Sequence, residues 1–235
     1  MTNPFTLRST FKAQLIDYMG DDQSICRAAR VSVMGTASLD TTEASGLINY
    51  LMKHRHGSPF EHGAMTFLIE APIFVWREFM RHRVGFSYNE TSARYRELEP
   101  VFYVPGEQRG IVNTATSARP AMADGSEEQN EVMVSAHASA YRGAWVEYQR
   151  MLEAGIAKEV ARSVLPVGIY SAAYVTCNPR SLMSFLSLRT HDGNAMFPSY
   201  PQAEIEEVAR QMEAAFSTYW PLTFEAFNEN GRVSP

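Results

Sequence analysis

Apolar positions recur along this chain mostly with the period of a helix, and only a few short runs show the period of two that marks a strand. Glu131 to Glu153 sets Val134, Tyr141, Trp145, Tyr148 and Leu152 at helical spacing and stops at Gly155, which predicts an amphipathic helix. Pro201 to Trp220 repeats the pattern with Ile205, Val208, Met212, Phe216 and Tyr219 on one face, and Pro221 reads as its end. NPRSLMSFLSLR predicts another helix, with Asn178 as its cap, Pro179 at its first position and Arg189 at its far end. In Leu39 to His56 the apolar face is Leu47, Ile48, Leu51 and Met52, the candidate caps are Thr41 and Thr42, and Gly57 is the expected stop.

Shorter segments fill the gaps. Phe11 to Met19 alternates as a strand, and Ser24 to Val31 reads as a short helix capped by Ser24. GAMTFLIEA puts Met65, Phe67 and Ile69 on one side of a strand, and YSAAYVT reads as another. Pro72 suits the first turn of a helix over PIFVWREFMRHR, which would deliver Arg81, His82 and Arg83 into a loop. AKEVARSVL forms a short helix that ends before Pro166. Gly106 to Asn130 is polar and aperiodic, so it reads as a surface excursion. Helices outnumber strands, and neither a repeat nor a Gly/Pro/Ser-rich linker divides the chain, so residues 1–235 read as one helix-rich α+β domain around a small mixed or antiparallel sheet.

Composition narrows the class. A chain of 235 residues, 45% hydrophobic, can bury a sizeable core, and a net charge of -5 argues against a general nucleic-acid coat, which needs a broad basic face. The two cysteines, Cys26 and Cys177, lie far apart, which suits a reducing cytoplasm better than a disulfide framework. They sit in small or apolar surroundings without a neighbouring base, as buried thiols do. No run approaches the roughly 20 apolar residues of a membrane span, and the first residues lack the pattern of a secretory leader. No membrane or nucleic-acid partner is expected.

One stretch opposes the global charge. From Arg77 to Arg96 there are five arginines and one histidine against two glutamates, centred on RHRVGFSYNETSARY, Arg81 to Tyr95. A cationic helix end facing its own carbonyls is one explanation. The alternative is a site for a small anion, because Ser87, Asn89, Ser92 and Arg94 add hydroxyls and a guanidinium fork to a glycine-containing loop. HGSPFEH, His56 to His62, reads either as a helix stop and turn with solvated polar groups or as part of a metal site with His54. His54 and His56 diverge by about 200° on a helix, which disfavours metal. Arg162 and Arg189 could face surface carboxylates, but in apolar or small-residue helices an arginine wants a specific partner such as a phosphate or a pyrimidine edge.

RHR followed by Ser, Asn and Glu, then by Ser, Arg and Tyr, closely resembles the signature of flavin-dependent thymidylate synthases. RAARVS at Arg27 to Ser32, HGSPFEH, ARSVLP and NPRSLMSFLSLR agree with the same family in the same order. Two departures stand out. Val84 to Thr91 makes the spacing from Arg83 to Ser92 one residue longer than usual, and THDGNAMFPSYPQ after Arg189 is a longer connection.

The resemblance implies reductive methylation of dUMP to dTMP, with FAD as cofactor, and methylenetetrahydrofolate and NADPH as co-substrates. It also implies a homotetramer with active sites shared between subunits. In that family's roles, Arg189 is catalytic, lying against the pyrimidine. Glu78, Arg81, Glu90, Thr91, Ser92, Ala93, Arg94, Arg162 and Arg189 would bind dUMP, with Ser92 and Arg94 nearest its phosphate. The residues implied for FAD are Ser32, His56, Ser58, Glu61, Arg81, His82, Arg83, Glu90, Asn178, Arg180 and Ser184. Two other readings of the same residues are a nucleotide- or RNA-binding regulator without catalysis and a flavoenzyme acting on a different pyrimidine nucleotide. A flavin spectrum separates the first from an enzyme, and a comparison of dUMP with UMP separates the second.

Overall fold

A computed structural model of the chain describes residues 4–40, 42, 44–116 and 121–235. In chain order the elements are β1 (Thr6–Arg8), β2 (Lys12–Met19), α1 (Asp22–Met34), α2 (Ser45–Lys53), β3 (Ala64–Pro72), α3 (Ile73–Phe79) and β4 (Phe86–Glu90). They continue with β5 (Val101–Tyr103), β6 (Val112–Asn113), β7 (Met122–Ala123), α4 (Glu127–Glu153), α5 (Lys158–Ala161), β8 (Tyr170–Cys177), α6 (Pro179–Arg189), α7 (Ala203–Tyr219) and α8 (Pro221–Glu229). The class is α+β, as the sequence predicts. The chain forms two compact units: Met1–Phe11, Glu70–Glu78 and Glu90–Ala173 in the first, Lys12–Ile69, Phe79–Asn89 and Tyr174–Pro235 in the second.

The first unit is built on α4. Ser126 caps it in a reciprocal capping box with Gln129, so the helix starts four residues earlier than the periodicity predicts. Tyr141, Trp145 and Tyr148 are buried with Phe5, Phe102 and Ile169, and the rings of Phe102 and Tyr141 stack at 4.7 Å. Gly168 is required beside this stack, because a Cβ there would collide with the Tyr141 hydroxyl. β1 pairs in parallel with β5, Leu7 opposite Phe102. Within the expected excursion, β6 and β7 form a small antiparallel ribbon. The amides of Ile73 and Phe74, the first of α3, are satisfied by the carbonyls of Ile169 and Val167 at 3.0 Å each.

Four strands pair in the order β2-β3-β8-β4. Met65, Phe67 and Ile69 are fully buried on one side of β3, while the hydroxyls of Thr66 and Thr176 meet at 2.9 Å between β3 and β8. The α7 face of Ile205, Val208, Met212 and Phe216 is buried as predicted, and Gln211 accepts from the amide of Ala13 on β2 at 2.8 Å. Leu182, Phe185 and Leu186 bury the inner face of α6, and Asn178 caps it by accepting from the amide of Ser181 at 2.8 Å.

Several boundaries differ from the sequence reading. Asp21, not Ser24, is the cap of α1, with Ser24 as its capping-box partner. α2 begins only at Ser45 with no side-chain cap, after a 3-10 turn over Gly35–Asp40; Thr41 lies outside the described residues. The left-handed residue after α2 is Arg55, φ 61°, and not Gly57; its guanidinium donates to the carbonyls of Val233 and Ser234. Pro72 closes β3 instead of opening a helix, and α3 ends at Phe79, so Arg81 to Arg83 already follow the helix. The segment read as a loop after Arg83 contains β4. Pro221 does not end the helical region but occupies the first position of α8, where its missing N–H costs nothing. Asp22, 2% exposed, caps that helix by accepting from the amides of Leu222 and Thr223 and from the Thr223 hydroxyl.

Candidate active site

Each unit contains a cavity that gathers part of the predicted site. The one in the second unit, about 560 Å³, is lined by Glu61, Arg81, His82, Arg83, Val84, Gly85, Phe86, Asn178, Arg180, Ser181, Ser184, Ser234 and Pro235. It lies where the end of α3 and the turn into β4 meet the first turn of α6. That approach depends on Gly85, whose φ is 68° and where a Cβ would collide with Ser181 Oγ. Arg180 is fixed at the rim: Nη1 meets Glu61 Oε1 at 2.6 Å, Nε donates to the carbonyl of Pro235 at 2.6 Å, and a Cβ on Gly57 would collide with the guanidinium.

Charge at this cavity is unbalanced. Among the side chains that line it, Arg81, Arg83 and Arg180 stand against one acidic group, Glu61, which makes it receptive to an anion. His82 is different in kind from its neighbours. Burial, and then the guanidiniums of Arg189 and Arg81, push its pKa down from 6.5 to about 4, so the ring is neutral at ordinary pH. Its Nε2 accepts from Nε of Arg189 at 3.0 Å, and its ring meets the edge of Phe185 at 4.9 Å. The Tyr88 hydroxyl lies 2.7 Å from the carbonyl of His82 and 2.9 Å from that of Phe79.

The second cavity, about 500 Å³ in the first unit, is lined by Glu90, Thr91, Ser92, Ala93, Arg162 and Ser163 among its polar and small residues, with Glu159 at its edge. Ile73, Leu98, Leu165, Pro166, Val167 and Ile169 form the apolar part of the wall. The amide of Thr91 donates to the carbonyl of Ala172 at 2.8 Å, and the amides of Tyr95 and Arg96 turn back onto the carbonyl of Ser92. Arg94 does not line the cavity. Its Nε meets Glu159 Oε2 at 2.7 Å, an exposed pair that is cheap to exchange for another anion.

Of the residues implied for FAD, Glu61, Arg81, His82, Arg83, Asn178, Arg180 and Ser184 line the first cavity. Ser32, exposed on α1 with Oγ on the carbonyl of Ala29, does not; nor do His56, whose ring lies 5.9 Å from that of Tyr50, or Ser58. Glu90 lines the second cavity with Thr91, Ser92, Ala93 and Arg162 of the dUMP set. Glu78 is half-buried at the end of α3, and Arg189 closes α6. Sequence reasoning missed Gly85, Phe86, Ser181, Ser234 and Pro235 as cavity walls. Alternation of Phe86 and Tyr88 with Ser87 and Asn89 was the available sign of β4, whereas nothing local marks the return of residues 234–235.

Both thiols are remote from solvent. Cys26 is fully buried and Cys177 is 2% exposed, with burial pushing the Cys177 thiol far up. Such burial does not suit a nucleophilic thiol. Among the described residues no helix is long and apolar enough to cross a membrane.

Comparison with known proteins shows which family the chain resembles along its length. A family model described as thymidylate synthase complementing protein matches residues 14–222. The flavin-dependent thymidylate synthase of Streptomyces avermitilis is 54% identical over 98% of this chain and 96% of its own length. That of Tropheryma whipplei is 46% identical over 97% and 96%. Among solved structures, a UMP/dUMP methylase, PolB from Streptomyces cacaoi, bound with 5-Br dUMP, matches with a TM-score of 0.92 at 48% identity, covering 98% of this chain and all of that one. The same enzyme bound with 5-Br UMP matches with a TM-score of 0.91.

Proposed function

The chain belongs to the family of flavin-dependent thymidylate synthases, and from that premise we propose that it methylates dUMP reductively to dTMP, with FAD as cofactor, methylenetetrahydrofolate as carbon donor and NADPH as reductant. The observation that carries this reading is the first cavity, where three arginines and the capped start of α6 converge against one acidic side chain. That donor set suits the pyrophosphate of a flavin dinucleotide: Arg81, Arg83 and Arg180 would neutralise it, and Asn178, Ser181 and Ser184 offer polar groups at the helix start. Bound FAD supplies the hydride that completes the methyl group.

The residues of the second cavity suit the nucleotide. Ser92, Arg162 and the amides around Ala93 would hold the phosphate, with Arg94 exchanging Glu159 for it, and Glu78 and Glu90 would orient the sugar and base. In a site shared between subunits, Arg189, joined by Arg81, would lie against the pyrimidine. A guanidinium there stabilises the negative charge that develops as carbon 5 becomes nucleophilic, in place of covalent attack by a thiol. The burial of Cys26 and Cys177 supports that substitution of roles.

We assign Ser32, His56 and Ser58, which stand outside the first cavity, to cofactor held by a neighbouring subunit in a homotetramer with shared sites. Exposed apolar side chains on and just after α1, Val31, Val33 and Leu39, together with Met19 on β2, support an assembled surface. Light scattering on the purified protein tests the tetramer. A cytoplasmic setting suits this chemistry and the two free thiols.

The test of function is product formation. Supplied with dUMP, methylenetetrahydrofolate, NADPH and FAD, the protein is expected to be yellow and to form dTMP; a flavin-free protein without turnover would favour a nucleotide-binding regulator. A second reading, methylation of UMP as well, rests on the likeness to the UMP/dUMP methylase. UMP assayed beside dUMP decides it.

A further inference from the structure

We propose that His82 is a positioning residue for Arg189, and that Tyr88 is the clamp that sets His82. The inference rests on the reading of Arg189 as the group against the pyrimidine. A guanidinium donates and cannot accept, so the contact from Arg189 Nε at 3.0 Å requires a lone pair on His82 Nε2 and places the ring proton on Nδ1. Arg81 and Arg83 on either side bring guanidiniums to the cavity. His82 brings none, and its Nε2 is committed to Arg189.

The ring has little freedom to leave that pose. Phe185 stands edge-on to it at 4.9 Å and is itself stacked on Phe79 at 4.7 Å, while Phe86 approaches from the strand side at 6.1 Å. The backbone under the ring is fixed as well. The amide of His82 donates to the carbonyl of Phe79 at 2.9 Å, closing the turn after α3, and the Tyr88 hydroxyl reaches across from β4 to the carbonyls of both residues. Burial holds that hydroxyl protonated, so it remains a donor. Thus β4 sets the turn, the turn sets the imidazole, and the imidazole sets the plane of the guanidinium at the end of α6.

Single-turnover dTMP formation by the flavin-loaded protein tests this with His82→Ala, His82→Gln, Tyr88→Phe, Arg189→Ala and the double variant His82→Ala/Arg189→Ala. Misplacing a reacting group by about 1 Å costs on the order of 100-fold, so His82→Ala, assayed per bound flavin with FAD in excess, is expected to slow the step about 10- to 100-fold. Glutamine, which also offers an acceptor, should restore most of the rate, and Tyr88→Phe should slow it several-fold. The double variant should be no slower than Arg189→Ala alone. Losses that multiply in the double variant, or a His82→Ala rate per bound flavin within a few-fold of wild type, overturn the inference while leaving Arg189 in its role. An Arg189→Ala rate within a few-fold of wild type overturns both readings.

Discussion

Nε of Arg189, the last residue of α6, donates to Nε2 of His82 at 3.0 Å. The two residues are 107 positions apart, yet the pair joins the arginine-rich stretch after α3 to the helix end expected to do the chemistry. Since α6 buries Leu182, Phe185 and Leu186 independently of Arg189, removing the guanidinium leaves the packing in place.

Arg189→Ala is therefore expected to stay folded and yellow, and its flavin to remain reducible by NADPH, while dTMP formation falls about 100- to 1000-fold, the usual loss for one preorganised electrostatic group. Arg189→Lys should recover only part of this, because a point charge does not reproduce a planar fork against a planar ring. Steady-state kcat for both variants checks it.

His82 gives the protein a pH signature. Its pKa is lowered from 6.5 to about 4, by burial first and then by the guanidiniums of Arg189 and Arg81. Between those values the unfolded chain binds a proton that the folded chain refuses, so this group's contribution to stability is lost progressively as pH falls through the window. His82→Gln cannot titrate. The wild-type Tm should fall more steeply than that of His82→Gln between about pH 7 and pH 5, and parallel curves would refute the neutral, buried imidazole.

Behind Arg189, the backbone is tethered by a buried ion pair. Arg232, 6% exposed, pairs with Glu213 and donates to the hydroxyl of Thr190, the residue that caps α6, at 2.8 Å. Arg232→Ala strips a buried carboxylate of one partner while Arg210 remains on it at 2.8 Å, so the expected loss is about 3 kcal/mol, the low end for breaking a buried pair. A urea midpoint equal to wild type would show that the network contributes nothing.

The thiols are dispensable for chemistry. Cys26→Ala with Cys177→Ala should retain most dTMP synthesis and lose about 1 to 2 kcal/mol of stability through the small cavities left in the core. Abolished turnover in a folded, flavin-loaded double variant would return a cysteine to the mechanism.

What was legible in the sequence follows from how local its causes are. α6 could be read with its cap, first proline and last arginine, because each signal lies within the helix, and the same holds for the buried faces of β3 and α7. β1 could not, since its three residues are a strand only by pairing in parallel with β5, far along the chain. β4 was hidden by its polar Ser and Asn, which invite a loop reading although Phe86 and Tyr88 alternate with them. Pro221 misled because a proline ends one helix and begins the next equally well. The arginine cluster could be read as a candidate anion site, but the Tyr88 to His82 to Arg189 chain could not, as no local pattern links 88, 82 and 189.

The most direct measurement of the central claim follows prereduced flavin in a single turnover. The protein, anaerobically reduced and mixed with dUMP and methylenetetrahydrofolate, is predicted to regain the oxidised flavin spectrum while forming one dTMP per flavin oxidised, and to do neither when dUMP is omitted. Flavin that stays reduced in the complete mixture, or that reoxidises without dTMP, would contradict the account.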